Sequence, residues 1–148
     1  MGDRELNLAL ALKMLSDFPS TRLLAASAVC ETEPVGVPPE FASQKFLNQV
    51  AIFETELGAL DFSNRMHAVE DVLGRVRTVR NGPRTIDVDL ILFDDLTVDS
   101  DDLTLPHPRA RERDFVMSPL RECIEALSVS DFSLKMRMNV LMQTINQG

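Results

Sequence analysis

Gly82-Pro-Arg-Thr-Ile-Asp-Val-Asp-Leu-Ile-Leu-Phe93 is the stretch that constrains the fold of this chain most strongly. Its Gly-Pro start is a turn signal, and the apolar residues behind it predict a strand over 86–93. Side chains two residues apart on a strand point to one face, so Asp87 and Asp89 are expected to project together. The apolar residues beside them are then expected to face a core.

The two aspartates indicate a metal site, because carboxylates within an apolar strand are costly unless something neutralises them. Magnesium suits them, since it takes one or two carboxylates together with phosphate oxygens and water. Arg84 lies three residues before Asp87, where a planar guanidinium could hold those phosphate oxygens. A bare Asp-x-Asp pair is more often a loop or a salt-bridged edge strand. The arginines before this pair favour phosphoryl-type transfer instead.

Outward from this stretch, hydrophobic periodicity and turn signals divide the chain into helices and strands. Helices are predicted over 3–17, 63–73, 108–127 and 133–146, and further strands over 22–32 and 46–57. The acidic residues 94–102 predict a solvated turn. This order favours an α+β fold with a largely antiparallel sheet. No repeat or linker divides the 148 residues, so a single domain over 1–148 is expected.

The formal net charge of −8 argues against nucleic acid and anionic membranes as partners. Seven of the fifteen basic residues nevertheless fall in two short segments, which are Arg75, Arg77, Arg80 and Arg84, and Arg109, Arg111 and Arg113. This clustering suits a local anion site, although composition alone would favour a solvated basic loop.

The remaining sequence signals concern location and the two histidines. Cys30 and Cys123 form no metal or redox spacing, and the chain as given shows no secretory signal or membrane-spanning run. A cytoplasmic location with reduced thiols is therefore expected. His67 precedes Glu70 by three residues on one helix face. His107 lies in a stiff Leu-Pro-His-Pro segment, where it could serve a nucleotide phosphate or merely a turn.

The stretch Gly82-Pro-Arg-Thr-Ile-Asp-Val-Asp-Leu-Ile-Leu resembles the signature of the 6-hydroxymethyl-7,8-dihydropterin pyrophosphokinase family. Further matches follow in the family's order, namely Gly2-Asp-Arg-Glu-Leu-Asn-Leu, Phe46-Leu-Asn, Glu70 with Gly74-Arg-Val-Arg, and Leu105-Pro-His-Pro through Arg113-Asp-Phe-Val. The resemblance covers residues 2–120. It implies a ferredoxin-like α/β/α sandwich, in which ATP donates its β,γ-diphosphate to the pterin hydroxymethyl oxygen and AMP is released.

The resemblance also implies roles for residues that handle the nucleotide. Asp87 and Asp89 match ligands that hold two magnesium ions, and Arg77 and Arg84 join them as catalytic residues. Positions that contact ATP or its phosphates are matched by Glu70, Arg75, Arg77, Arg84, Leu90, Thr104, His107 and Arg113.

For the second substrate, 6-hydroxymethyl-7,8-dihydropterin, the resemblance implies a stacked pocket. Phe46 and Phe115 match the aromatic pair that sandwiches the flat pterin, and Asn48 the amide that reads its hydrogen-bonding edge. The backbone around Thr32, Glu33 and Val35 matches the segment that completes the pocket. The resemblance leaves open a second folate-pathway enzyme as a protein partner.

The chain departs from the family pattern at three places. Met1 stands directly before Gly2-Asp-Arg, where the family has a short strand ending in Gly-Ser-Asn, so a truncated chain or an interior strand supplied by another segment or subunit is expected. Phe46 replaces a common tyrosine, and Asn81 a common tryptophan.

Two other functions remain open beside the pyrophosphokinase. One is a truncated or non-catalytic homologue that binds nucleotide or pterin without transfer. The other is a different metal-dependent phosphate enzyme, such as a phosphodiesterase, although the sequence offers no further His/Asp set for a hydrolytic two-metal site.

Overall fold

The secondary structure consists of short strands and four α-helices in a computed structural model that describes residues 2–32, 46–74, 87–127 and 132–147. The helices are α1 (Gly2–Ser16), α2 (Ala59–Gly74), α3 (Asp114–Ala126) and α4 (Phe132–Gln147), with a 3-10 helix at Ala110–Glu112. The strands are β1 (Thr21–Ala26), β2 (Cys30–Thr32), β3 (Phe46–Asn48), β4 (Ala51–Thr55), β5 (Val98–Asp99) and β6 (Thr104–Leu105).

Within these described residues the strands pair two by two, β1 with β4, β2 with β3, and β5 with β6. The β2–β3 and β5–β6 pairs are antiparallel. The α+β class expected from the sequence is confirmed. None of the helices in this part of the chain combines the length and apolarity that crossing a bilayer requires.

The prediction of two long strands was wrong in detail, because each is interrupted. Predicted strand 22–32 breaks between β1 and β2, and predicted strand 46–57 between β3 and β4. Ser27 forms side-chain hydrogen bonds at both breaks: its Oγ accepts the Val50 N–H at 3.0 Å and donates to the Ala28 carbonyl at 2.9 Å. Gln49 Nε2 donates to the Ser27 carbonyl at 2.8 Å. Such local side-chain bonds compete with a continuous strand ladder.

The predicted strand over 86–93 was also wrong, because residues 87–93 form no regular strand. The Val88 N–H donates to the Glu70 carboxylate at 2.7 Å, and the Ile91 carbonyl accepts the His107 N–H at 2.8 Å. These partners are a side chain and a loop instead of a neighbouring strand. The predicted alternation still holds at its start, where Asp87 and Asp89 are exposed and the residue after each is half-buried.

The described residues divide into two compact units. The first draws on Met1–Arg22, Val29–Asn48 and Thr55–Asp89, and the second on Leu23–Ala28, Gln49–Glu54 and Leu90–Gly148. The expectation of a single domain over 1–148 stays a prediction.

In the first unit, α1 packs against α2 and β3. Phe18 meets Phe62 edge to face with ring centroids 5.2 Å apart. The inner face of α2 buries Phe62, Met66, Val69 and Leu73, which recur at helical spacing.

In the second unit, α3 supplies the centre of the apolar core. Its buried residues at helical spacing are Val116, Met117, Leu120, Cys123 and Ile124. Residues of β1 and β4 and Met142 of α4 complete this cluster, and Ile91 and Leu92 pack against it. The predicted helix 108–127 is split at Arg113, whose extended ψ of 103° separates the 3-10 helix from α3.

Candidate active site

A buried acid on α2 organises the acidic stretch of the first unit. Among the residues that the structure describes, Glu70 is the one buried charged residue, with 8% of the whole residue exposed. Its Oε2 accepts the Val88 N–H at 2.7 Å, and its Oε1 lies 3.0 Å from Nδ1 of His67. A buried carboxylate requires such hydrogen-bonding partners, because it has lost those that water would provide.

Asp87 and Asp89 flank the residue whose N–H Glu70 accepts, and both are exposed. Their carboxylate oxygens are the hard ligands that magnesium prefers, so the donor chemistry fits this ion. Nowhere in the described ranges do three or more His, Cys, Asp or Glu residues come together as a metal-holding group. Magnesium in proteins commonly takes its other oxygens from phosphate or water.

Three residues predicted to meet the pterin lie on the β2–β3 pair of the first unit. Its register places Thr32 opposite Phe46 and Cys30 opposite Asn48. The two strands thus bring the backbone of Thr32 close to that of Phe46 and Asn48, although Thr32 precedes both by fourteen or more residues in the sequence. Asn48 is half-buried.

In the second unit, two hydrogen bonds hold His107 in place. Its backbone N–H donates to the Ile91 carbonyl at 2.8 Å, and its Nδ1 accepts the Arg109 N–H at 3.3 Å. An accepting Nδ1 places the proton of the neutral imidazole on Nε2. The bond to Ile91 therefore restrains the backbone of His107, and the bond from the Arg109 N–H favours a proton on Nε2.

Two further predicted residues of the second unit contact each other. The Arg113 guanidinium lies over the Phe115 ring, with its carbon 5.6 Å from the centroid, in cation–π geometry. Phe115 is 37% exposed at the start of α3. Thr104 lies in β6 opposite Asp99, and Leu90 is half-buried.

Five predicted site residues lie outside the described residues, namely Glu33, Val35, Arg75, Arg77 and Arg84. Their roles stay predictions.

Sequence reasoning missed the bond between Glu70 and Val88. The shared helix face of His67 and Glu70 was visible from their spacing, and the 3.0 Å contact agrees with it. The bond to Val88 joins residues eighteen positions apart and has no periodic signal. The signal that could have found it is an acidic residue among the apolar positions of α2.

Comparison with known proteins connects the chain to one enzyme family. The family model described as 7,8-dihydro-6-hydroxymethylpterin-pyrophosphokinase matches residues 1–125. The 2-amino-4-hydroxy-6-hydroxymethyldihydropteridine pyrophosphokinase of Bacillus subtilis is 37% identical over 122 residues, which cover 82% of this chain and 71% of that protein. The protein of the same name from Pseudomonas aeruginosa is 36% identical over 121 residues, covering 82% and 73%. The bifunctional protein FolKE of Lactococcus lactis is 35% identical over 125 residues, covering 84% and 35%.

Proposed function

The chain belongs to the 7,8-dihydro-6-hydroxymethylpterin-pyrophosphokinase family, and we propose that it transfers the β,γ-diphosphate of ATP to the hydroxymethyl oxygen of 6-hydroxymethyl-7,8-dihydropterin, releasing AMP. It is a transferase of folate biosynthesis with ATP as co-substrate. The observation that carries the proposal is the exposed Asp87 and Asp89 on a segment tied to buried Glu70, within a chain that the family model matches from 1 to 125.

In this proposal Asp87 and Asp89 hold two magnesium ions together with the phosphates of ATP. When bound there, magnesium would neutralise phosphate charge and stabilise the attacking and leaving oxygens of the transfer. The exposure of both carboxylates supports this role, because a ligand can reach them without a rearrangement of the core. Arg77 and Arg84 are proposed as catalytic residues that bind the transferred phosphates, since guanidinium groups suit phosphate oxygens.

His107 and Arg113 are proposed to contact the nucleotide. His107 offers a ring proton on Nε2, in the tautomer set by the Arg109 N–H, and such a donor suits a phosphate oxygen. Arg113 carries a permanent positive charge at the start of α3. The other proposed nucleotide contacts are Arg75, Leu90 and Thr104.

The pterin is proposed to stack on aromatic rings. Phe115 supports this role because it is a partly exposed aromatic side chain beside a cation. Phe46 is proposed as the second stacking ring. Asn48 is proposed to hydrogen-bond the pterin edge, and the backbone around Thr32, Glu33 and Val35 to complete the pocket.

The proposal includes the ferredoxin-like sandwich that the resemblance implies. It also includes the single domain over 1–148 and the cytoplasmic location that length and composition predict. A second folate-pathway enzyme is proposed as a protein partner. One observation supports this idea, namely that a relative covered to 35% of its length is named a bifunctional protein. Nothing in the described residues or the comparisons favours a homologue that binds its substrates without transfer.

The identity of the nucleotide product tests the proposed reaction. Incubation with ATP and Mg²⁺ should yield AMP, and only when 6-hydroxymethyl-7,8-dihydropterin is present, as followed by ³¹P NMR. ADP as the main product would indicate transfer of a single phosphoryl group. AMP or ADP formed equally well without the pterin would indicate hydrolysis and reject the proposal.

A further inference from the structure

The hydrogen bond from the Val88 N–H to the Glu70 carboxylate is made by the residue between Asp87 and Asp89. The Val88 N–H belongs to the peptide group that follows Asp87 and precedes Asp89. Each aspartate Cα is about 3.8 Å from the Cα of Val88. A bond of 2.7 Å to this N–H therefore restrains the backbone from which both carboxylates project.

This restraint matters because residues 87–93 form no regular strand. In a sheet, a neighbouring strand would fix the amide of Val88 through the ladder. Here the amide donates instead to a side chain from α2, a helix whose inner face is buried. The helix thus takes over the task that a strand neighbour performs elsewhere.

Both oxygens of the Glu70 carboxylate are engaged. Oε2 accepts the Val88 N–H, and Oε1 is bonded to His67, which lies one helical turn earlier and whose side chain is 61% exposed. The Glu70 side chain itself is only 7% exposed. This placement suits support of the backbone better than direct contact with a nucleotide, whose phosphates carry the same sign of charge as the carboxylate.

We propose that Glu70, braced by His67, is a positioning residue that sets the spacing and direction of Asp87 and Asp89 through the Val88 N–H. The inference deepens the proposed function, because it rests on the two aspartates acting as metal ligands. It assigns Glu70 a role different from the nucleotide contact that the family resemblance implies.

The first test reads the bond itself in the chain without nucleotide or metal. In ¹H–¹⁵N spectra, Glu70→Ala should move the Val88 amide proton upfield and speed its hydrogen exchange roughly tenfold or more, as expected for loss of a hydrogen bond to a charged group. The matched control is Asp71→Ala, which removes the exposed neighbouring acid of α2 and should leave Val88 unchanged. An unchanged Val88 amide in Glu70→Ala would overturn the proposal.

Two milder variants keep the test decisive if Glu70→Ala does not fold. Glu70→Gln retains an acceptor of similar size, so it should preserve most of the protection of Val88 with a smaller upfield shift. His67→Ala changes an exposed side chain and should move the Val88 amide slightly in the same direction. No shift in either variant would contradict the bracing described for Glu70.

The second test separates positioning from nucleotide contact. Glu70→Ala should raise the Mg²⁺ concentration for half-maximal transfer roughly tenfold or more, with ATP affinity measured in EDTA unchanged. Glu70→Gln should restore most of the metal dependence. Weakened ATP binding in EDTA, or an unchanged magnesium requirement, would overturn the positioning role. If the unaltered chain transfers nothing, the proposed function fails, while the Val88 spectra still decide whether Glu70 holds the acidic segment.

Discussion

At the scale of single residues, the acidic pair combines accessibility with a restrained backbone. Asp87 and Asp89 are exposed, and the peptide between them is bonded to buried Glu70. An exposed carboxylate on an unrestrained loop would lose conformational entropy each time it bound a metal. A restrained pair would lose less conformational entropy, so the hydrogen bond to Glu70 would favour binding of the proposed metal.

Removal of either aspartate should therefore abolish most of the transfer. We expect Asp87→Asn and Asp89→Asn to lower kcat at least about 100-fold, because charge stabilisation by metal ions contributes several kcal/mol to the transition state. The rate of pterin diphosphate formation at saturating Mg²⁺ measures this loss. Asp101→Asn, which changes an exposed acid in the turn between β5 and β6, should retain full activity. A variant of the pair that kept more than half of the activity would argue against its role as metal ligand.

Cys123 should be unreactive in the folded chain. Burial raises the pKa of this thiol from 9.0 to about 11, and the nearby Glu122 carboxylate adds to the shift. Its Sγ also donates to the Val50 carbonyl at 3.2 Å. Since the thiolate is the nucleophile, iodoacetamide at pH 8 should label half-buried Cys30 at least about tenfold faster than Cys123. Peptide mass spectrometry measures both rates, and in urea they should become similar. Equal rates in the folded protein would contradict the burial of Cys123.

The same pKa predicts how alkali affects stability. The folded state holds the Cys123 proton more tightly than the unfolded state. The contribution of this thiol to the free energy of unfolding is therefore complete below pH 9 and is lost as pH rises towards 11. Urea unfolding of Cys123→Ala across this range should show a weaker decline than the parent chain.

Residue types and spacing predicted Asp87 and Asp89 as metal ligands, a role that stays a prediction, but they did not predict how the backbone between these acids is held. The alternation around Val88 was visible because exposure repeats every second residue. The partner of its N–H was not, because a bond across eighteen residues depends on how α2 lies against the segment. The tautomer of His107 likewise depends on the Arg109 N–H, which only the folded loop places beside the ring.

At the scale of elements, helices were predicted better than strands. The amphipathic repeat of α2 reflects burial along one face, which the helix itself enforces. Strands depend on neighbours, and Ser27 diverts the N–H of Val50 from a continuous ladder. The apolar residues of 86–93 predicted a strand because they indicate burial, and a buried segment need not pair with a neighbouring strand.

The packing of α2 should dominate the stability of the first unit. Phe62 is 5% exposed and meets Phe18 edge to face, so Phe62→Ala should lower the free energy of unfolding by about 3–5 kcal/mol. Urea denaturation measures the change. Leu60→Ala, on the same helix but 51% exposed, should stay within about 0.5 kcal/mol of the parent. Similar losses for both variants would contradict the assigned inner face.

At the scale of the whole molecule, an acidic protein must bind two anionic groups, the triphosphate of ATP and the diphosphate of the pterin product. The net charge of −8 opposes this at long range. Seven of the fifteen basic residues are clustered near residues 75–84 and 109–113, which gives two short segments a locally positive charge. This clustering suggests a local anion site, which stays a prediction, whereas the reaction itself required the family resemblance, because no charge pattern specifies a pterin.

The amount of pterin product formed per AMP tests the central claim most directly. The purified chain, given ATP, Mg²⁺ and 6-hydroxymethyl-7,8-dihydropterin, should form pterin diphosphate and AMP in equal amounts, as quantified by liquid chromatography and mass spectrometry. Replacement of Mg²⁺ by EDTA should abolish both products. AMP without pterin diphosphate, or a folded chain that binds ATP and forms neither product, would contradict the account.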